Sequence, residues 1–414
     1  MNTLFLYIDP GTGSMLFSLF IGLATTAVFA GRALILKLKF VFSGGKIKED
    51  NSIVPYAVYS DHKRYWNIFK PVCDEFEKRK TGLLYLTQSE DDPVFDCDYK
   101  FVKPEFIGEG NKGFARLNML KANILLSTTP GLDVLQWKRS RNVKWYVHIP
   151  HSVDELAGYR MFALDFYDAV LATGTNQKDT IRSLEKARNE SPKEITVCGC
   201  VHFDSMKERV LKSAVDKKTE TTVLVAPSWG KSSLLNLYGT DLLDSLGSSG
   251  FNIIIRPHPQ SYTAEPKLLQ NLKEKYAENP RIVWNNDNDN FECLQNADLM
   301  ITDFSGIIFD YSMIFDKPLL YTRPQAFDDA PYEQSWLNEE RWTFKVLPEL
   351  GIELKETDFA NIKDVILSAI KSTTLERKRN EIRKQCWDNP GNAVTKVFEY
   401  LANKQTQIME ETIC

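Results

Sequence analysis

Apolar and polar positions along this chain fall into two regimes. Gly11 to Gly31 contains no charged residue, and Met15 to Ala30 is dominated by Leu, Ile, Phe, Val and Ala. A membrane-crossing helix needs about 20 such residues, so the pattern predicts one transmembrane helix. After Gly44-Gly45 the pattern changes to short β-branched runs separated by amphipathic stretches. Residues 53–59, 82–87, 123–127, 143–147, 168–172 and 194–198 read as strands, with helices over 64–80 and 175–187. A second series starts at 222–226 and continues at 252–256, 281–284, 298–302 and 318–321, with a helix near 233–246. Residues 362–370 and 392–401 read as helices near the end of the chain. Strands alternating with helices predict parallel sheets covered on both faces. The expected fold is therefore α/β, with two Rossmann-like domains facing a cleft, and a charged, sparsely apolar boundary between Met206 and Thr221.

The residues around the first apolar stretch give it a direction. Arg32, Lys37, Lys39, Lys46 and Lys48 follow it, and only Asp9 carries a side-chain charge before it. The positive-inside bias then puts the rest of the chain in the cytoplasm, as a single-pass protein of the inner membrane. A cleaved signal is the competing reading, with Val28-Phe29-Ala30 as a small-residue site, but the positive leading region of a signal is missing. Residues 33–42, with two lysines among apolar neighbours, also suit a helix lying along the membrane surface. These boundaries divide the chain into an anchor and basic segment (1–48), an N-terminal Rossmann-like domain (49–205) and a C-terminal Rossmann-like domain with terminal helices (206–414).

Composition adds mainly exclusions. A chain of 414 residues is long enough for two full cores. Its net charge of −4 offers no basic surface for nucleic acid. The seven cysteines show no paired metal-binding spacing and no closed disulfide framework. Cys198-Gly199-Cys200 is too tight for a structural zinc pair and reads as buried thiols. Neither a metal nor a cofactor is expected.

Two segments carry the chemistry. Ile253-Ile254-Ile255 runs into Arg256-Pro257-His258-Pro259, and Leu299-Met300-Ile301 runs into Thr302-Asp303-Phe304-Ser305-Gly306. Buried strands that end in polar residues deliver them to the carboxyl edge of an open sheet, where such folds bind ligands. Pro257 and Pro259 stiffen the first loop, so Arg256 and His258 are presented on restrained backbone. Ser305 and Gly306 open a helix whose Ile307, Ile308, Tyr311, Met313 and Ile314 would pack on the sheet. Its free amides suit a diphosphate.

These segments resemble the signature of the CDP-glycerol glycerophosphotransferase family, which builds teichoic-acid-like polymers. The matching residues are Arg256 to Pro259, Thr302 to Gly306, Phe309 to Tyr311, and Lys317-Pro318, with Gly306 where the family has a second serine. Tyr59-Ser60-Asp61, Tyr65-Trp66, Phe69-Lys70-Pro71, Tyr85-Leu86-Thr87 and Asp91-Asp92-Pro93 extend the resemblance towards the N-terminus. Gly199 and Asp204 fit a further element in which Val201 and His202 replace Pro and Arg. The resemblance implies a GT-B-like fold and transfer of a glycerol-phosphate or related polyol-phosphate unit. It implies a CDP-activated donor, and a lipid-linked or glycan acceptor at the membrane.

It also implies a general base. His148 follows the strand 143–147 where the family has a Trp-His-Gly histidine, with Val147 and Ile149 in place of Trp and Gly. His151 is the rival, ahead of a Ser152/Glu155 capping box expected to open a helix. On the donor side, Arg256, His258, Ser305 and Gly306 would hold phosphate. Asp303 would bind a ligand hydroxyl or orient its loop, and Ser228, in Pro227-Ser228-Trp229, would help form the nucleotide cleft. His62 reads as a solvated loop residue, and His202 as either a substitute cation or a surface group. Two other functions fit the same residues: a glycosyltransferase using a nucleotide sugar, and a non-catalytic nucleotide-binding membrane scaffold.

Overall fold

The structure is a computed structural model and describes residues 53–213, 220–287, 289–324 and 328–413. The expected membrane anchor lies outside these residues. Among the described residues, no helix is long and apolar enough to cross a membrane.

Two parallel sheets organise the chain. The first contains β1 (Val54–Ser60), β2 (Leu83–Thr87), β3 (Val102–Phe106), β4 (Ala122–Ser127), β5 (Val143–His148), β6 (Ala169–Ala172) and β7 (Glu194–Val197), in the order β3-β2-β1-β4-β5-β6-β7. The second contains β8 (Thr222–Val225), β9 (Asn252–Ile255), β10 (Ile282–Trp284), β11 (Leu299–Thr302), β12 (Leu319–Tyr321) and β13 (Ile352–Glu353), in the order β10-β9-β8-β11-β12-β13. In each sheet the strand order reverses direction beside the first strand, which is where open α/β folds form their ligand crevice. The central strands β6, β8 and β11 are buried at every position, as expected for sheets covered on both faces.

The two strands missed in the sequence are both at edges. β3 contains Pro104, which breaks the strand pattern but is tolerated where one side of the ladder is unpaired. β13 is only two residues long and pairs with Leu320 and Tyr321. A different error concerns Ser152 and Glu155. Residues 151–154 form bends rather than a capped helix, and only a 3-10 turn, Leu156–Gly158, follows. The Glu155 carboxylate accepts from the amide and the hydroxyl of Thr343 in the second half of the chain.

The last helix, Ala393–Ile413, also departs from the expected layout. Ala393, Val397, Leu401 and Ile408 pack into the core formed by β1, β2 and the helix Trp66–Lys78, so the end of the chain completes the first sheet. The crossing is held tightly. The amide of Asp388 donates to the carbonyl of Thr173, and Asp204 accepts from Trp387 Nε1 and the amide of Ala393, each at 2.9 Å. Gly199, at φ +96°, lies so close beneath this segment that a Cβ there would come within 2.2 Å of the Asp388 carbonyl. Gly199 and Asp204 thus have structural work in this chain. Cys198 and Cys200 are buried free thiols.

Candidate functional site

A cavity of about 370 Å³ opens at the carboxyl edges of both sheets. The first half contributes His151, Ser152, Asp154 and His202, and the second contributes Arg256, His258, Ser305, Gly306 and Asp310. The two segments singled out in the sequence therefore meet in space.

In the second half of the chain, the proline-bounded loop after β9 fixes its two basic residues differently. Arg256 donates to Asn285 Oδ1 and, at 2.8 Å, to the Asp287 carbonyl, so neutral acceptors orient the guanidinium. The amide of Gln260 donates to His258 Nδ1 at 3.1 Å. A neutral imidazole has one N–H, so His258 must carry it on Nε2, as a hydrogen-bond donor. Burial, with the Arg64 charge adding to it, pulls the His258 pKa down to about 4 and keeps the ring neutral. Trp229 lies over the same loop, its ring centroid 6.5 Å from that of His258.

Asp303 organises this edge and does not line the cavity. Its carboxylate accepts from the Ser228 amide (2.8 Å), the Ser228 hydroxyl (3.2 Å), the Leu234 amide (2.9 Å) and the Ser305 amide (3.1 Å). Burial pushes its pKa up, and these hydrogen bonds counter the shift by favouring the ionised form. One carboxylate therefore ties the loop after β8 to the turn after β11. Ser228 spends its hydroxyl on Asp303 and does not line the cavity.

Beyond that turn, Ser305 and Gly306 lead into a helical segment, Ile307–Phe309, continued by a π-turn over Asp310–Ile314. The first bonds inside it are from Ile308 to the Ser305 carbonyl and from Phe309 to that of Gly306. Ile308, Tyr311, Met313 and Ile314 are buried as expected, and Ile307 only in part. A Cβ on Gly306 would meet Ser152 Oγ at 3.5 Å and Asp154 Oδ2 at 3.6 Å, which is ordinary contact. The family's second serine would therefore fit here. Lys317, in the Lys-Pro pair, donates to the Gln295 and Ala297 carbonyls at 2.6 and 2.7 Å, capping the helix Phe291–Asn296 rather than facing the cavity.

The two candidate bases are separated by burial. His148 is the last residue of β5, is 0 % exposed and does not reach the cavity. His151 lines it. Burial, reinforced by the neighbouring His151, brings the His148 pKa down to about 3. For His151 burial also dominates, then the charges of His202 and Arg64, and its pKa falls to about 4. Tyr159 lies between the two rings, its hydroxyl 3.4 Å from His148 Nε2 and 3.4 Å from His151 Nδ1.

Three cavity groups stand out less in the sequence. Asp310, inside the Phe-Asp-Tyr match, faces His202 Nε2 at 3.5 Å. Asp154 sits beside them, and burial, more than the Asp310 charge, pushes its pKa up. His202 belongs to the cavity wall and not to open surface. His62 caps a short 3-10 turn by accepting from the Arg64 amide. Among the described residues, no group of three or more His, Cys, Asp or Glu side chains could hold a metal ion.

Residues 164–335 match the model of the CDP-glycerol:poly(glycerophosphate) glycerophosphotransferase family. Over that stretch the chain is similar to the family. The match includes His202, Arg256, His258 and Ser305 and stops short of His148 and His151. Among curated proteins none matches the chain. Among solved structures, a UDP-N-acetylglucosamine 2-epimerase of Neisseria meningitidis bound to UDP-GlcNAc aligns at TM-score 0.54 and 14 % identity, over 84 % of this chain and 99 % of that one. A similar protein from Listeria monocytogenes, described as a putative UDP-N-acetylglucosamine 2-epimerase, aligns at TM-score 0.54 and 13 % identity, over 84 % of this chain and 95 % of the other. At such identities the likeness establishes the fold, two parallel-sheet Rossmann-like domains.

Proposed function

We propose that the protein transfers a glycerol-phosphate or related polyol-phosphate unit from a CDP-activated donor to a hydroxyl of a lipid-linked or glycan acceptor, in building a cell-envelope polymer. The observation that carries this reading is the convergence of Arg256, a neutral His258 with its proton on Nε2, and Ser305 on one cavity wall, opposite His151. In the transfer step His151 takes the proton from the acceptor hydroxyl. The oxygen attacks the phosphorus that bears the polyol, and the bond from that phosphorus to the oxygen of CMP breaks. CMP leaves with the electron pair. Arg256, the His258 Nε2–H, the Ser305 hydroxyl and the amides that begin the following turn stabilise the charge it carries.

His151 is assigned the base because it borders the cavity, whereas His148 is sealed in the core. The apolar stretch before Arg32 supports anchoring to the cytoplasmic membrane with the catalytic half inside, which would bring a lipid-linked acceptor within reach. Incubation with CDP-glycerol, CDP-ribitol and UDP-GlcNAc, each with CMP or UDP release followed by mass spectrometry, tests the donor. CMP release with a CDP-polyol is the expected result. Turnover of UDP-GlcNAc alone would replace this reading with a nucleotide-sugar glycosyltransferase.

A further inference from the structure

His148 is titratable and wholly buried, and the transfer step described above makes no use of it. Its ring packs between Tyr159 and Tyr167, with centroids 5.7 and 5.1 Å away. Tyr159 also stacks on His151, at 6.1 Å and 21° between ring planes. One phenolic hydroxyl thus meets two imidazoles, each at 3.4 Å.

Resting on the assignment of His151 as base, we propose that Tyr159 and His148 are positioning residues that fix the tautomer of His151. Tyr159 accepts a hydrogen bond from Nδ1–H of His151 and donates its own proton to Nε2 of His148. The reasoning is a count of protons. A neutral imidazole has one N–H, so a base at Nε2 must keep its proton on Nδ1. In His151 that nitrogen faces the Tyr159 oxygen. The hydroxyl cannot then donate back and needs another acceptor, and Nε2 of His148 is within reach. His148 can accept only while it is unprotonated, and burial holds its pKa near 3. The reverse direction, from His148 through Tyr159 to His151, would place the proton on Nε2 of His151 and disable it as a base.

The chain of bonds orients without conducting. Nδ1 of His148 has no hydrogen-bond partner, so a proton passed inward would have no exit and would leave an imidazolium in the core. His148 therefore acts through Tyr159 on His151 and never meets the substrate.

The test is long-range ¹H–¹⁵N NMR of the full chain labelled in its five histidines, with each signal assigned by single substitution. Wild-type His151 is expected in the Nδ1–H form. Tyr159→Phe keeps the ring and removes the hydroxyl, and it should shift His151 towards the Nε2–H form. Turnover of CDP-glycerol should fall about tenfold with KM for CDP-glycerol held within about twofold, the effect of losing one orienting hydrogen bond. His148→Leu should do the same, and His148→Gln, whose carbonyl oxygen can take the tyrosine proton, should recover part of the loss. Tyr159→Phe keeps the idea falsifiable if the buried His148 variants fail to fold. Finding wild-type His151 protonated on Nε2, or an unchanged tautomer in Tyr159→Phe, overturns the proposal. If CDP-glycerol is not turned over at all, the transfer reading fails, and the tautomer measurement still decides this one.

Discussion

The carboxyl edges of the two sheets are built on opposite principles. At the second, four hydrogen bonds converge on Asp303 and draw the loops after β8 and β11 together before any ligand arrives. At the first, Thr128 Oγ1, Thr173 Oγ1 and His148 Nδ1 are buried without a protein partner, and aromatic packing sets the geometry. Buried polar groups are nearly always satisfied, so unpaired ones gathered along a sheet edge point to function more than to stability. The contrast teaches that one side is tied together by hydrogen bonds, where the proposed reading puts the donor's phosphates, while the other is shaped by packing, where that reading puts the base. It also suggests that the first edge will tolerate change in stability but not in chemistry, and the second the reverse.

Substitutions can break that comparison, and the largest effect is expected on the first side. His151→Ala should lower turnover by about two to four orders of magnitude, with nucleotide affinity nearly intact, because a general base typically contributes that much. Steady-state kinetics combined with calorimetric binding of CDP-glycerol separates the two effects, and wild-type turnover in this variant would remove His151 from the chemistry. Next comes Asp303→Ala, which strands the amides of Ser228 and Leu234 in the interior. A loss of about 3 kcal/mol in urea-induced unfolding is expected, since each buried donor left unsatisfied costs about 1–3 kcal/mol. Unchanged stability would show that the second edge does not depend on this carboxylate.

His258→Ala sharpens the comparison by testing binding alone. Affinity for CDP-glycerol should drop by about 10- to 100-fold, the worth of a hydrogen bond to a charged group at about 1.5–3 kcal/mol. An unaltered Kd would detach the proline-bounded loop from the donor. The smallest expected effect is a pH profile that stays flat. kcat/KM reports ionisations of the free enzyme, and His151 and His258 are both held near pKa 4. A base with a depressed pKa remains competent as pH falls, so activity should pass through about pH 6.5, the ordinary value for histidine, without a break. It should decline only as pH approaches 4. An inflection at the ordinary histidine value would mean that the cavity is wetter than its packing indicates.

The sequence exposed the second edge better than the first, and the difference is physical. The runs ending at Arg256 and Asp303 are continuous apolar strands with polar termini, a local pattern that survives folding unchanged. The ends of strands could be placed to within about one residue because buried parallel strands carry their burial in every position. Choosing between His148 and His151 required knowing that β5 extends through His148 and sinks it, a consequence of packing by Tyr159 and Tyr167 from further along the chain. Ser152 and Glu155 have the spacing of a capping box, yet Thr343, almost two hundred residues away, competes successfully for the carboxylate. β3 was hidden by Pro104, and the role of Ser228 by a bond to Asp303 that no local spacing encodes.

The return of residues 385–413 to the first sheet has a consequence for how the protein is made. Synthesis proceeds from the N-terminus, so β1 to β7 leave the ribosome long before Val397, Leu401 and Ile408 exist to cover them. Until residues 393–408 have emerged, the face bearing Tyr56, Phe76 and Trp145 lacks its permanent cover and is open to association with other nascent chains. The first sheet emerges first and matures last. A polypeptide that stops before Trp387 would thus leave the first sheet uncapped and remove both bonds to Asp204 that hold the crossing.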